Sequence, residues 1–378
     1  MRPPPPMPDA FDDARRRFRA AAEEAGALLH RWPVGPESDD LAIEAARLGP
    51  EDAPGLVVVS SGLHGVEGPL GSAVQSSWLE GPGPRALPGG VAVLLLHALN
   101  PFGFRHSRRF DASNVDLNRN FLPPGEAYRG HPPLYARLDP MLNPPGPPGR
   151  LDAIGFPARA AWAQLRFGAE AVKQAVAGGQ YDFPRGLFFG GHAPSEAFLL
   201  LDRHLPGLVG PARSVVHLDF HTGLGPRGSY VLLVDGPADS PSTARLSRAF
   251  GPDRIESHAP GGTSYHIRGN FGVWCSRRLG GPGRSYDYTC AEFGTYPGPV
   301  VIGALREENR AHHHCPPGSP ALLRARARLR ESFIPAAPPW RSWALAEGLG
   351  LVARAVSHLA TAPAPADPAP DPESGRIG

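Results

Sequence analysis

The apolar residues of this chain lie in short continuous runs, separated by polar turns that are rich in glycine and proline. Runs such as GLVVVSSG (55–62) and VAVLLLHALNP (91–101) are short and almost wholly apolar, as in strands that are buried on both faces. The same pattern predicts strands at 55–62, 91–101, 214–223, 230–236 and 286–295, with an edge-like segment at Leu41–Leu48.

Segments with helical spacing of apolar residues alternate with these strands. The predicted helices lie at 10–30, 69–80, 157–177, 300–312 and 321–332. Their predicted inward positions include Phe11, Phe18 and Leu28 in the first helix and Trp162, Leu165 and Val172 in the third. This order predicts an α/β fold with a mixed, mostly parallel, twisted sheet that is flanked by helices and connected by long loops.

The 378 residues suit one large domain with insertions. Residues 122–150 are rich in proline and glycine, which predicts a surface excursion. We expect a single domain over 1–345, with the N-terminal helix at about 10–30 packed on it, and a terminal helix at 346–360. The segment 361–378 has too few apolar residues to offset its ordering entropy, so we expect a disordered tail.

Charge and composition exclude several classes of protein. The net charge is +2 and the basic residues are scattered, so the electrostatic pattern of a nucleic-acid-binding protein is missing. No run reaches the roughly 18 apolar residues that span a bilayer, and the N-terminus has no apolar segment of a secretory signal. The three cysteines show no CxxC spacing and indicate a reducing compartment, so we expect a cytoplasmic protein without a membrane partner.

Histidine and glutamate follow the ends of two predicted strands. HGVEG (64–68) places His64 and Glu67 three residues apart in a turn, where both can reach one metal ion. A catalytic zinc ion needs a third protein ligand, and DFHTG (219–223) offers His221 at the end of its strand. His217 lies on the same face of that strand and is a rival ligand, although its position within the strand favours a buried structural histidine.

Two further motifs carry groups that suit a hydrolytic site. Asn118 and Arg119 in DLNRNF (116–121) are suited to binding a carboxylate. Glu292 in CAEFGT (290–295) follows another strand and could take a proton from a zinc-activated water. Asp219 is a plausible hydrogen-bond partner for a metal-binding histidine, and a surface carboxylate is the equally simple alternative.

Taken in order, HGVEG, NPFGF, NVDLNRNF, DFHTG and EFGTYP resemble the zinc carboxypeptidase superfamily, which includes carboxypeptidase A and the succinylglutamate desuccinylase/aspartoacylase enzymes. More narrowly, they resemble an uncharacterised, mainly bacterial branch of it. The resemblance runs from about residue 10 to about residue 335. It implies a carboxypeptidase-like fold, one zinc ion held by His64, Glu67 and His221, and Glu292 as the general base.

The resemblance also implies groups that bind the substrate. Asn118 and Arg119 match the pair that grips a terminal carboxylate. An arginine should stabilise the oxyanion, and three residues compete for that role: Arg105, Arg108 and Arg109. The phrase FRHSR favours Arg105, whereas the closer branch favours Arg108 or Arg109, and we choose Arg109.

The family's mobile tyrosine corresponds by region to Tyr265 in GGTSYHIRG, and a packed aromatic residue is the alternative.

The predicted function is zinc-dependent hydrolysis of an amide bond next to a free carboxylate, as in a metallocarboxypeptidase. The substrate would be a small peptide or an N-acyl amino acid, since a deacylase of the desuccinylase/aspartoacylase type fits the same residues. The alternative from another class is a non-catalytic binding protein on the same fold. The sequence leaves the oligomeric state and the side-chain preference open.

Overall fold

The computed structural model describes residues 7–257 and 267–361. Eight strands form one sheet: β1 (Leu28–Pro33), β2 (Ala42–Leu48), β3 (Gly55–Ser61), β4 (Val91–His97), β5 (Ser214–Thr222), β6 (Tyr230–Val234), β7 (Ile255–Ser257) and β8 (Ser285–Phe293). The helices are α1 (Phe11–Glu24), α2 (Gly68–Glu80), α3 (Pro101–His106), α4 (Pro133–Leu142), α5 (Arg150–Phe167), α6 (Ala169–Ala177), α7 (Glu196–Val209), α8 (Pro241–Phe250), α9 (Phe271–Leu279), α10 (Gly298–His314), α11 (Pro320–Phe333) and α12 (Pro338–Thr361).

The strand order is β1-β2-β4-β3-β5-β8-β6-β7. The four central strands β4, β3, β5 and β8 run parallel, whereas β2 and β6 join them antiparallel on either side. The predicted mixed, mostly parallel sheet is therefore confirmed. Because the central strands are parallel, their carboxyl ends meet at one edge of the sheet, where α/β proteins place their sites.

Helices cover both faces of the sheet, so the central strands are apolar on both sides. On β3, Val57 and Val59 pack into the core beneath α1, α2 and α12, while Leu56 and Val58 pack into the core beneath α7 and α9. This alternation follows from the two-residue period of a strand. None of the helices in the described residues is long and apolar enough to cross a membrane.

The structure corrects several predicted boundaries. The helix predicted at 10–30 ends at Glu24, and Leu28 begins β1 instead of facing inward in a helix; its exposed fraction is 56%. β2 is an inner strand between β1 and β4, so the edge position predicted for Leu41–Leu48 is wrong. The surface excursion at 122–150 contains α4.

The third predicted helix is two helices, α5 and α6. Trp162 and Leu165 face outward, with exposed fractions of 60% and 88%, so their predicted inward orientation is wrong, whereas Val172 is buried as predicted. The terminal helix predicted at 346–360 lies within the longer α12. Of the predicted tail, Thr361 ends α12, and 362–378 lie outside the described residues.

Candidate metal centre

The carboxyl ends of β3, β5 and β8 bring four predicted site residues together. The chain leaves β3 through a short turn that carries His64 and then Glu67, while His221 is the second-last residue of β5. Glu292 on β8 is the register partner of His221. Residues that are up to 228 positions apart therefore meet because neighbouring parallel strands end at the same edge.

His64, Glu67 and His221 offer three ligand atoms to one point. His64 Nδ1 lies 3.0 Å from Glu67 Oε1 and 3.2 Å from His221 Nδ1, and His221 Nδ1 lies 3.1 Å from Glu67 Oε2. All three side chains are buried. Two imidazole nitrogens and one carboxylate form a donor set of catalytic zinc sites, which leaves a fourth position for a ligand. The residues therefore fit a zinc ion.

Each histidine uses its second nitrogen to contact a buried carboxylate. His64 Nε2 lies 3.2 Å from Asp116 Oδ1, and His221 Nε2 lies 2.7 Å from Asp219 Oδ2. These contacts hold each ring with its Nδ1 directed at the shared point, and at His64 the Arg109 guanidinium also lies 2.7 Å from the same Nε2. The sequence reasoning proposed this role for Asp219 but missed Asp116, whose signal is its place in the motif NVDLNRNF.

The charges around this point favour a cation. Burial alone would raise the pKa of Glu67, but His64 and His221 lower it below its ordinary range. Burial alone would lower the pKa of His221, but Asp219 and Glu67 raise it well above its ordinary value. The same negative groups that hold a proton at His221 would hold a divalent metal ion there instead.

Glu292 lies beside this cluster but makes a different set of contacts. Its Oε1 accepts a hydrogen bond from the backbone N–H of Leu224 (2.9 Å), and the Cys290 thiol lies 3.8 Å from its Oε2. Burial raises the pKa of Glu292 to about 7, and the negative charge of Glu67 acts in the same direction. A carboxyl group with such a pKa can both accept and donate a proton near neutral pH.

Arg109 is the arginine that reaches the ligand set. Its Nε donates to Asp116 Oδ2 (2.9 Å), and its terminal nitrogens lie 3.3 Å from Glu67 Oε1 and 2.7 Å from His64 Nε2. Its guanidinium also lies over the ring of Phe188, at 5.3 Å from the ring centre. Arg109 therefore brings a positive charge to the edge of the candidate metal centre.

Arg108 and Arg105 point elsewhere. Arg108 is fully buried, donates to Asn114 and lies 3.5 Å from Glu308. Arg105 pairs with Asp12 of α1 at 2.6 Å, at the outer end of α3. Neither contact involves a metal-binding residue. Tyr265 lies outside the described residues.

Asn118 and Arg119 lie next to Asp116 in a short helical turn. Asn118 Oδ1 accepts from the backbone N–H of Phe271 (2.9 Å), which directs its amide nitrogen away from that contact. Arg119 is fully buried and donates to the backbone carbonyls of Ala177 and Asn118. Arg119 NH1 also lies 4.0 Å from Asp116 Oδ1, so the predicted carboxylate-binding pair adjoins the metal centre.

The sequence reasoning also missed Cys290. Its sulfur, an imidazole nitrogen of His221 and a carboxylate oxygen of Glu292 lie within 4.8 Å of one another. Cys290 is the register partner of Asp219 across the β5–β8 pair, so the strand alternation that places His221 in the site also places this thiol beside it. The two-residue period of β8 already puts Cys290 on the face of Glu292, and the pairing of β5 with β8 adds that His221 lies there too.

Comparison with known proteins places the chain in a family context. A family model described as "Protein of unknown function (DUF2817)" matches residues 8–347. This match confirms the resemblance to an uncharacterised branch that the motifs indicated. Comparison with curated proteins found no match.

Several solved structures resemble the chain at low identity. Carboxypeptidase A from Helicoverpa armigera is 10% identical, with 85% of this chain and 73% of that chain covered and a TM-score of 0.45. The succinylglutamate desuccinylase from Chromobacterium violaceum is 15% identical, with 87% and 75% covered and a TM-score of 0.39. Murein-tripeptide amidase from Escherichia coli O157 is 16% identical, with 79% and 97% covered and a TM-score of 0.37. At these values the likeness assigns this chain neither an activity nor a substrate.

Proposed function

Since this chain belongs to the DUF2817 family, which has no stated activity, we propose from its own site that it is a zinc-dependent hydrolase of amide bonds next to a free carboxylate. The observation that carries the proposal is the convergence of His64, Glu67 and His221 within about 3 Å of one another, with Glu292 and Arg109 beside them. This combination offers a metal-binding set, a base and a positive charge at one edge of the sheet.

His64, Glu67 and His221 would hold the zinc ion, which would supply Lewis acidity for the attack of water on a carbonyl group. Glu292 accepts a proton from the attacking water and returns it to the nitrogen of the leaving amine. Its burial, which raises its pKa, and its place beside the proposed ligands support this transfer. Arg109 stabilises the negative charge that develops on the carbonyl oxygen.

Asn118 and Arg119 bind the free carboxylate of the substrate. The support for this step is the resemblance of NVDLNRNF to the carboxylate-binding motif and the position of both residues beside Asp116. Because Arg119 donates to Ala177 and Asn118 carbonyls, a substrate carboxylate would compete with these carbonyls for its donors. We therefore expect Arg119 to gain a charged acceptor and shift when the substrate binds.

The test is a hydrolysis screen of the full chain over short peptides with free C-termini and N-acyl amino acids, with and without zinc. Glu292→Gln should abolish turnover of any substrate found while leaving one zinc ion bound per chain, since Glu292 is not among the proposed ligands. Glu331→Gln is the matched control, because Glu331 bonds Tyr296 away from the site.

Two outcomes would contradict the proposal. Normal turnover by Glu292→Gln would show that another group acts as the base. Stoichiometric zinc without turnover of any peptide or acyl amino acid would favour a binding protein over an enzyme. Cleavage of acyl amino acids but not of peptides would assign the deacylase branch of the same proposal.

A further inference from the structure

Three buried polar side chains lie side by side on one face of the central sheet, next to the candidate metal centre. Ser60 on β3 is the register partner of Asp219 on β5, and His217 precedes Asp219 by two residues on the same face. All three are fully buried. The face is otherwise apolar and aromatic, with Phe271 and Tyr288 against the His217 ring. A buried polar group lowers the stability of the fold unless it has a hydrogen-bond partner, so we ask which partners these three groups have.

Asp219 collects three hydrogen bonds. Its Oδ2 lies 2.7 Å from His221 Nε2 and accepts from the Tyr288 hydroxyl at 2.8 Å. Its Oδ1 accepts from the Ser60 hydroxyl at 2.6 Å. An ionised carboxylate is an acceptor only, so every proton in these contacts belongs to the neighbour. His221 must then carry its proton on Nε2, which leaves Nδ1 free for a metal ion.

The proton on Ser60 fixes the state of His217. A serine hydroxyl has one proton, and Ser60 gives it to Asp219, so its contact with His217 Nε2 at 2.8 Å requires His217 to donate. Burial lowers the pKa of His217 to about 4, so the ring is neutral near pH 7 and has a single N–H. His217 Nδ1 is then an acceptor, and the Tyr286 hydroxyl lies 2.9 Å from it.

We propose that Ser60 and His217 are positioning residues for the metal centre. Hydrogen bonds connect a buried chain of side chains, Tyr286–His217–Ser60–Asp219–His221. From Tyr286 to Asp219 each group donates to the next, and His221 donates to Asp219 through Nε2, so Nδ1 of His221 is the nitrogen left to bind the metal. This inference rests on the proposed function, because it concerns zinc at the site named there. By this inference, His217, which the sequence offered as an alternative ligand to His221, instead helps to position His221.

The physical consequence is tighter metal binding. Without the Ser60 hydroxyl, Asp219 loses one of three donors and can rotate away from His221, and the His217 N–H is left buried without its acceptor. Loss of such a supporting partner typically costs about 10- to 100-fold in metal affinity. The effect acts through Asp219 and His221, so it does not require Ser60 or His217 to touch the metal or the substrate.

The first experiment measures zinc affinity of the full chain by competition with a chelator. Ser60→Ala should bind zinc about 10-fold more weakly than wild type, at the low end of the usual range because Ser60 acts through Asp219. Ser61→Ala is the matched control, since Ser61 is the next residue of β3, is equally buried, and bonds Gln75 on the other face. Ser61→Ala should keep wild-type affinity, although both variants lose a buried hydroxyl bond. Ser60→Thr restores the hydroxyl and should recover most of the affinity.

The second experiment needs no variant. Nitrogen-15 NMR of histidine-labelled wild-type protein distinguishes the two ring tautomers. We expect His217 to be neutral near pH 7, with its proton on Nε2, in both zinc-free and zinc-loaded protein. A proton on Nδ1 of His217 would mean that Ser60 donates to His217 and not to Asp219, and it would overturn the inference. Equal zinc affinities of Ser60→Ala and Ser61→Ala would also overturn it. A wild-type protein that binds no zinc would overturn the proposed function together with this inference. Zinc binding by wild type with unchanged affinity in Ser60→Ala would overturn the inference alone.

Discussion

Three arginines within five positions of the chain meet three different environments. Arg105 reaches Asp12 on α1, Arg108 is buried against Glu308, and Arg109 contacts Glu67 and Asp116. Sequence motifs place such residues only by spacing, and α3 and the loop after it turn neighbouring side chains in different directions. Of the three, only Arg109 therefore lies where it could stabilise the negative charge that develops on the carbonyl oxygen of a substrate.

The role of Arg109 can be tested with a neutral substitution. Arg109→Gln should lower kcat/KM by about 10²- to 10³-fold, the usual cost of removing one oxyanion donor. Zinc should remain bound, since removing a positive charge does not disfavour a cation. Arg105→Gln is the control and should keep wild-type kinetics, because its partners lie on α1 and before β2. Comparable losses in both variants would contradict the assignment of Arg109.

At the scale of single elements, the turn after β3 depends on a close backbone approach. A Cβ added at Gly65 would lie 2.1 Å from the carbonyl carbon of Gly103 and 2.2 Å from the nitrogen of Phe104. The turn is held there by bonds from the Gly65 and Val66 N–H groups to the carbonyls of Arg109 and Arg108. The glycine in HGVEG therefore lets the turn that carries His64 and Glu67 pack directly on α3.

Gly65→Ala should consequently separate the turn from α3. We expect a loss of about 1–3 kcal/mol in the free energy of unfolding, as for overpacked core positions, and weaker zinc binding because His64 and Glu67 flank the displaced residue. Gly303→Ala on α10 is the control: nothing lies within 4 Å of its added Cβ, and alanine in a helix should stabilise by about 0.5–1 kcal/mol. Urea unfolding measures both. Unchanged stability of Gly65→Ala would show that the turn can move freely.

Much of this arrangement follows from local patterns, and the rest does not. Continuous apolar runs identified β3 and β4, and runs of apolar and aromatic residues interrupted by single polar ones identified β5 and β8. The candidate residues His64, Glu67, His221 and Glu292 were chosen because each lies at or just after the end of a predicted strand. β1 was missed because Leu28, Leu29 and Trp32 also fit helical spacing. In α5, Trp162 and Leu165 are apolar at helical spacing yet exposed, since spacing shows which residues share a face but not whether another element covers it.

Contacts across strands were the least predictable part of the site. Ser60 contacts Asp219 through the pairing of β3 with β5, whereas Asp116 contacts His64 between two loops that lie beyond the strand ends. Nothing in the sequence near Ser60 or Cys290 indicates that each is the register partner of Asp219. Motif reasoning therefore identified the three residues that the structure brings together, whereas the groups that contact them required the three-dimensional structure.

At the scale of the whole molecule, stability should fall in acid because a buried histidine stays neutral in the fold. His97 ends β4 between Phe18 of α1, whose ring stacks on it at 4.5 Å, and Ser72 of α2, 2.9 Å from its Nε2. Burial lowers its pKa to about 3, and the positive charges of Arg15 and Arg19 act in the same direction. In the unfolded chain His97 titrates near its ordinary value of about 6.5.

Below pH 6.5, His97 therefore binds a proton in the unfolded chain but not in the folded protein. This difference favours unfolding increasingly as the pH falls toward 3. Between pH 7 and pH 5 the single group should cost about 2 kcal/mol. His97→Leu removes the titration, so its free energy of unfolding, measured with urea, should fall by about 2 kcal/mol less than that of wild type over this interval. His314→Leu, at an exposed position at the end of α10, is the control and should follow wild type. Parallel losses in all three proteins would mean that His97 can be protonated inside the fold, with α1 moving away from β4 to admit the charge.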